Sequence, residues 1–132
     1  MTGIDTNVLL RHILEDEPEQ TSVVNALIEK AENDREGLYV NTIVLCELIW
    51  TLRSAYRARR SEIVSVLEDL LASQVFEIQD RDLVQCALQD YRHGKADFSD
   101  YLLGWQNREA GCRETVSFDG GLKKATGFLV LG

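Results

Sequence analysis

The chain alternates short apolar runs with longer amphipathic segments, and this alternation constrains its fold more than any other feature. The short runs predict strands at residues 1–4, 38–40, 75–78, 115–118 and 128–131. Apolar and polar residues hardly alternate within these runs, as is typical of parallel strands that are covered on both faces. We therefore expect an α/β fold in which a parallel sheet of about five short strands is sandwiched between helices (α/β/α). A length of 132 residues suits one domain, so residues 1–132 are predicted to form a single domain.

The segments between these runs carry apolar residues at helical spacing or begin with residues that commonly start helices. They predict helices at residues 8–14, from Pro18 to a stop at Gly37, after a cap at Asn41, after a cap at Ser61, from Asp80 to Gly94, and from Asp97 through Trp105.

Four acidic residues occupy positions where an apolar residue or a simple cap is more usual. Asp5 and Asp119 each follow a strand run, Glu47 is the one charge in an apolar helical stretch, and Asp100 opens a helix. The carboxyl ends of parallel strands meet at one edge of a sheet, so these acids are expected to converge there. Ordinary roles remain open: Asp5 as a helix cap, Asp119 as a turn residue, and Glu47 as an ion-pair partner of Arg53.

Converging carboxylates predict a divalent metal site, since burying a carboxylate without a partner is costly. Mg²⁺ and Mn²⁺ prefer oxygen ligands, and such ions activate water for the cleavage of phosphate esters. Asp97 adds another acid nearby, with an N-cap as its alternative role. His12 and His93 fit no catalytic triad pattern and are interpreted as structural or surface residues.

The formal net charge of −8 argues at first against a nucleic-acid partner. A bound cation would offset part of this charge, and the arginines are concentrated at Arg53, Arg57, Arg59 and Arg60. This cluster is either a solvated helix end or a surface that faces RNA. Lys95 and Lys123 are further candidates for phosphate contacts, together with Lys124.

The three cysteines show no metal-binding spacing and leave an odd count, which predicts buried free thiols in a reducing compartment. The first strand begins at the N-terminus, which leaves no room for a signal peptide, and no apolar run has transmembrane length. We therefore expect a cytoplasmic protein without a membrane association.

Four motifs, taken in order, resemble those of PIN-domain ribonucleases, and in particular the VapC-like toxins of type II toxin–antitoxin systems. The motifs are Ile4-Asp5-Thr6-Asn7-Val8-Leu9, Val44-Leu45-Cys46-Glu47-Leu48, Ala96-Asp97-Phe98-Ser99-Asp100-Tyr101-Leu102-Leu103 and Ser117-Phe118-Asp119. Each motif is weak alone, but together they extend over essentially the whole chain.

The resemblance implies a Mg²⁺- or Mn²⁺-dependent endoribonuclease that cuts structured RNA of the transfer or ribosomal class. It implies catalytic and metal-binding roles for Asp5, Glu47, Asp100 and Asp119, with Asp97 beside them. Asn7 and Ser117, the latter where the family often has threonine, would orient the ligands through hydrogen bonds. A VapB-like antitoxin and a homodimer are the implied protein partners. The candidates for contacts to the RNA come from the distribution of basic residues and not from the resemblance; they are Arg53, Arg57, Arg60, Lys95 and Lys123.

Other functions stay open at this point. A catalytically inactive PIN-like module that binds RNA or protein would keep the fold without the chemistry. A haloacid-dehalogenase-like phosphatase would need a second aspartate where Asn7 stands, and a receiver domain would need paired acids after the first strand. Nucleotide hydrolysis is disfavoured, because residues 120–124 lack the spacing of a phosphate-binding loop.

Overall fold

A computed structural model describes all residues from 1 to 132, and these divide into two compact units, residues 1–79 and residues 80–132. Unit 1 comprises the elements β1 (Thr2–Gly3), α1 (Thr6–Leu14), α2 (Pro18–Asp34), β2 (Leu38–Val40), α3 (Thr42–Ser54), α4 (Arg60–Ala72) and β3 (Phe76–Ile78). Unit 2 comprises α5 (Arg81–His93), α6 (Phe98–Glu109), β4 (Thr115–Ser117), a 3₁₀ turn (Gly120–Leu122) and β5 (Phe128–Val130).

The strands of unit 1 form a parallel sheet in the order β1-β2-β3. Leu38 and Val40 of β2 are both fully buried, as expected for a central strand that is covered on both faces. The core continues into the helices, where Leu9, Leu45 and Leu67 have essentially no exposed surface. The apolar pattern of the sequence thus follows the burial of the central strand.

In unit 2, α5 and α6 pack against each other and β4 pairs in parallel with β5. Tyr91 of α5 and Phe98 of α6 are buried with their rings edge to face, 6.1 Å apart between centroids. Gly104 lets α6 approach β5 closely, since a Cβ there would lie 2.5 Å from the ring of Phe128. A larger residue at position 104 would therefore displace α6 or the ring.

The α/β class and the parallel pairing are confirmed, and five short strands are present as expected. Their hydrogen bonds group them as three strands in unit 1 and two in unit 2. We expected one sheet of about five strands; the hydrogen bonds instead pair the strands as a three-stranded sheet and a two-stranded sheet.

Four helix boundaries differ from the predictions. The helix α1 begins at Thr6 rather than at residue 8, because Asp5 is its N-cap. The helix α2 ends at Asp34, before Gly37, because Arg35 adopts the left-handed conformation that terminates it. The helix α4 begins at Arg60 rather than after a cap at Ser61, since the Arg59 backbone N–H donates to Glu62 Oε1 (2.9 Å). The helix α6 continues past Trp105 to Glu109.

The cysteines are free, as predicted, but they are not all buried. Cys46 and Cys86 are half-buried, and burial raises the pKa of the Cys46 thiol. Cys112 is exposed, so the expectation of burial is wrong there, because the chain between α6 and β4 runs over the surface. None of the helices combines the length and apolar character that a bilayer crossing requires.

Candidate active site

Asp5 directly precedes α1, where its carboxylate has a clear local role. Its Oδ1 accepts a hydrogen bond from the backbone N–H of Asn7 at 3.1 Å, so Asp5 is the N-cap of the helix. The alternative role of Asp5 as a helix cap is therefore correct. The capping hydrogen bond uses one carboxylate oxygen and fixes the orientation of the carboxylate. Asn7 orients the Asp5 carboxylate through its backbone N–H.

Glu47 lies in the second turn of α3, with its side chain exposed to solvent. The start of α3 is fixed by two amide side chains at the ends of neighbouring strands. Asn41, which follows β2, accepts from the N–H of Ile43 at 2.8 Å, and Gln79, which follows β3, accepts from the N–H of Thr42 at 2.9 Å. The sequence predicted the Asn41 cap but gave no signal for Gln79, since its partner lies far away in the chain.

Three acids come together in unit 2, at the start of α6 and after β4. Partial burial raises the pKa of the Asp100 carboxyl above its usual value, and the nearby negative charges of Asp97 and Asp119 raise it further. A hydrogen bond from the Asp97 backbone opposes this shift, while a side-chain hydrogen bond with Asp119 adds to it. Like charges this close resist being ionised together, so the site favours a proton or a cation between them.

The segment around Asp119 is held by its own hydrogen bonds. Ser117 Oγ accepts from the Asp119 backbone N–H at 3.0 Å, and Asp119 Oδ1 accepts from the Gly121 N–H at 2.8 Å. Asp119 is thus also a turn residue, as its alternative role predicted. Ser117 orients Asp119 through the backbone and does not act on the carboxylate itself.

The two acidic segments of unit 2 are brought together by a close backbone contact. A Cβ on Gly121 would lie 3.4 Å from the backbone nitrogen of Ala96 and 3.1 Å from Asp119 Oδ1. The Ala96 N–H in turn donates to the hydroxyl of the buried Tyr101 at 3.2 Å. These contacts fix the chain that leads into Asp97, which occupies the N-cap of α6 without a side-chain capping bond.

The chemistry of these acids suits Mg²⁺ better than a cation that needs a complete protein cage. Across residues 1–132, no three histidine, cysteine, aspartate or glutamate side chains are grouped closely enough to hold an ion by themselves. Mg²⁺ keeps several of its waters and is commonly bound by one or two carboxylates together with substrate phosphates. Asp100 and Asp119, whose carboxyl groups are close enough for the charge of one to raise the pKa of the other, meet that lower requirement.

The arginine cluster lies in unit 1, between α3 and α4. Arg59 is the N-cap residue of α4, and its Nε donates a hydrogen bond to Glu62 Oε1 at 3.1 Å. The backbone and side-chain hydrogen bonds from Arg59 lower the pKa of the Glu62 carboxyl. Arg57 is exposed and has a left-handed backbone, whereas Arg53 and Arg60 have interactions within the protein. The helix-end interpretation therefore holds for Arg59, and Arg57 is the most accessible of the group.

Basic residues also surround a cavity of about 470 Å³ in unit 2. Lys95, Lys123, Lys124 and His93 line it, beside Gly120 and Gly121. The sequence indicates His93 only as a structural or surface residue and contains no signal for its place on this cavity. Only the fold brings the end of α5 to the turn that follows Asp119.

Comparison with known proteins agrees with the motifs. The PIN domain pattern matches residues 4–127 of the chain. A VapC ribonuclease of Aquifex aeolicus (strain VF5) is 29% identical over 124 residues, which cover 94% of this chain and 91% of the relative. No solved structure gives a significant match.

Proposed function

Because this chain belongs to the PIN-domain family, we propose that it is a metal-dependent endoribonuclease, a VapC-like toxin that cleaves structured cellular RNA. The similarity to a VapC ribonuclease, which extends over most of both chains, supports this proposal. The family resemblance that the four motifs predicted is confirmed. One domain spanning both units is part of the proposal, since the family pattern runs through residues 4–127.

The observation that carries the proposal is that Asp100 lies near enough to Asp97 and to Asp119 for their negative charges to raise the pKa of its carboxyl. Neighbouring carboxylates that are both ionised repel each other, and this weakens the fold unless a proton or a cation lies between them. We assign metal binding and catalysis to Asp100 and Asp119, and to Asp5 and Glu47 by their positions in the matching motifs. Asp97 is proposed as an additional metal ligand.

The roles of these residues follow from their chemistry. A bound Mg²⁺ or Mn²⁺ would supply an activated water and stabilise charge on the leaving oxygen. The carboxylates would hold the ion and accept the proton of the attacking water, so no histidine or serine nucleophile is required. The backbone N–H bonds to Asp5 and Asp119 keep both carboxylates oriented before substrate arrives.

A cleavage assay tests the proposal. The purified protein with Mg²⁺ is expected to cut transfer or ribosomal RNA, and Asp5→Asn and Asp100→Asn should each lower the rate roughly 100-fold or more. Asp69→Asn is the matched control, because Asp69 is exposed on α4 and belongs to none of the motifs. Circular dichroism checks that each variant is folded. Undiminished cleavage by both site variants would refute the assignment.

Metal binding separates the enzyme from a binding module. Calorimetric titration with Mg²⁺ and with Mn²⁺ should show uptake by the wild-type protein. Failure to bind either ion at millimolar concentration would instead support a catalytically inactive PIN-like module that holds RNA or protein.

Inhibition by a VapB-like antitoxin is also proposed, and the surface of α3 supports it. Ile43 and Trp50 flank Glu47 at helical spacing, and they are 68% and 71% exposed. Large apolar side chains beside a catalytic acid are typical of a surface that a protein partner covers. Ile43→Ser and Trp50→Ser should weaken inhibition by the cognate antitoxin while leaving RNA cleavage intact. Inhibition that is unchanged in both variants would exclude this surface.

A homodimer and a cytoplasmic location complete the proposal. Val116 of β4 and Leu129 of β5 lie opposite each other in register and are both exposed, which suits contact with a second copy. The free thiols fit a reducing compartment, where cellular RNA is also found. Light scattering after size exclusion, on the wild type and on Val116→Ser, tests the dimer.

A further inference from the structure

The cavity in unit 2 collects most of the lysines of the chain. The sequence contains four lysines, at positions 30, 95, 123 and 124, and the last three line this cavity. Lys30 forms an ion pair with Asp34 at 2.8 Å, whereas Lys95, Lys123 and Lys124 form no ion pair within 4.0 Å. In a chain with a net charge of −8, this is a local concentration of lysines that have no ion-pair partner.

The one acid that lines the cavity is already engaged. Asp90 accepts a hydrogen bond from the Trp105 indole Nε1 at 2.7 Å, and this bond ties α5 to α6. Its carboxylate therefore has a structural role, and it does not pair with the lysines. An anion from outside the protein would find three ammonium groups available to it.

Two turns link the lysines to the acids in the same unit. The 3₁₀ turn separates Asp119 from Lys123, and the Lys123 N–H donates to the Gly120 carbonyl at 3.3 Å as the turn closes. Lys95 lies two positions before Asp97, in the segment that Tyr101 holds through the Ala96 N–H. The Gly121–Ala96 contact joins these two segments. Acids and lysines are therefore carried by the same pair of turns.

We infer that this cavity, the lysine pocket formed by Lys95, Lys123 and Lys124 with His93, binds a backbone phosphate of the RNA next to the one that is cut. The inference rests on the proposed ribonuclease function and names the part of the substrate that this surface takes. Lysine acts as a mobile point charge toward phosphate, which suits a sequence-independent contact. The pocket would hold the strand while the acids act on the neighbouring phosphodiester.

The first experiment measures the affinity of a short, labelled, single-stranded RNA by fluorescence anisotropy in EDTA over a range of salt concentrations. Lys95→Ala, Lys123→Ala and Lys124→Ala should each weaken binding roughly three- to tenfold at low salt. Each should also lower the salt slope by about 0.7, the value for one lost contact to a single strand. Lys30→Ala is the matched control, since it removes the same charge from α2 in unit 1.

The second arm distinguishes RNA from free phosphate. Amide resonances of Gly94 and Gly121, which line the pocket, should shift on titration with the RNA and shift only weakly with inorganic phosphate. Inorganic phosphate that binds as tightly as the RNA would overturn the inference in favour of a free-phosphate site. Lysine variants that match Lys30→Ala in affinity and slope would also overturn it.

The outcomes separate this inference from the proposed function. RNA binding that depends on the three lysines, without cleavage in Mg²⁺, would support the pocket and contradict the nuclease. Cleavage that requires Asp100 but is indifferent to all three lysines, both in affinity and in salt slope, would support the nuclease and refute the pocket.

Discussion

Gly121 lies so close to Asp119 that replacing its hydrogen atom by a methyl group requires the Asp119 carboxylate to move by a few tenths of an ångström, while the Ala96 backbone stays in ordinary contact. A Cβ at position 121 would lie 3.1 Å from Asp119 Oδ1 and 3.4 Å from the Ala96 nitrogen. The neighbouring Gly120 has open space around its Cβ position. Of the two consecutive glycines, Gly121 is therefore the one in contact with the Asp119 carboxylate and with the segment that leads into Asp97.

Gly121→Ala should lower the rate of RNA cleavage about tenfold or more, because small displacements of catalytic groups are costly. Gly120→Ala is the control and should stay within a factor of about two of the wild type. The measurement is kcat/KM for both variants, with thermal unfolding as a check on folding. Equal activity of the two variants would show that the contact does not position the acids.

Tyr101→Phe removes the hydroxyl that accepts the Ala96 N–H, in a buried position. Leaving this N–H without a partner should lower the free energy of unfolding by about 1–3 kcal/mol. Hydrogen exchange of the Ala96 amide should accelerate more than that of the core amides in α5. Tyr56→Phe, at an exposed tyrosine, serves as the control. Unchanged exchange at Ala96 would contradict the role of the hydroxyl.

Asp100→Asn should stabilise the protein in EDTA at neutral pH while impairing metal binding. The folded-state pKa of Asp100 is raised, so its stabilising contribution is present below the unfolded-state pKa and is lost as the pH rises through the folded-state value. Asparagine carries no charge and avoids this loss. The unfolding temperature of the wild type should therefore fall as the pH rises through the folded-state pKa of Asp100. The unfolding temperature of Asp100→Asn should lack this fall.

Added Mg²⁺ should raise the unfolding temperature of the wild type but not that of Asp100→Asn. Equal stabilisation of both proteins by Mg²⁺ would mean that Asp100 is not a metal ligand.

His12 offers a test of the core of unit 1. Its Nδ1 is buried without a hydrogen-bond partner, and its ring packs against Phe76 with 5.6 Å between centroids. Replacing an unsatisfied polar group by an apolar one of similar size removes a desolvation cost, so His12→Leu should raise the free energy of unfolding by about 1 kcal/mol. Urea unfolding measures this change. A loss of stability of similar size would show that Nδ1 has a partner, such as an ordered water.

Much of this arrangement could be predicted from local sequence. The apolar runs predict where the five strands lie, although the expected cover on both faces holds for β2 alone, since each of the other strands has at least one exposed residue. The position of Asp5 predicts its cap, because the bond is to a residue two positions away. The proximity of Asp119 to Asp100 could be expected from topology alone, since Asp119 follows a strand and Asp100 lies at the start of a helix.

Contacts between distant segments could not be predicted in this way. Gln79 holds the start of α3 from the end of another strand, and the pairing of Gly121 with Ala96 depends on how the 3₁₀ turn packs. The sequence could not predict that the lysines line one pocket, because they come from segments that are distant in the chain. The sequence indicates Lys95 and Lys123 as candidates for phosphate contacts, but only the fold places them with His93 around one cavity.

RNA cleavage by this protein should depend on Mg²⁺ bound at the acidic residues. Protein stripped with EDTA should be inactive, and added Mg²⁺ should restore cleavage along a saturable curve that Asp119→Asn shifts to concentrations at least about tenfold higher. Asp69→Asn should follow the wild-type curve. Full cleavage in EDTA, or identical Mg²⁺ curves for the wild type and Asp119→Asn, would contradict the account.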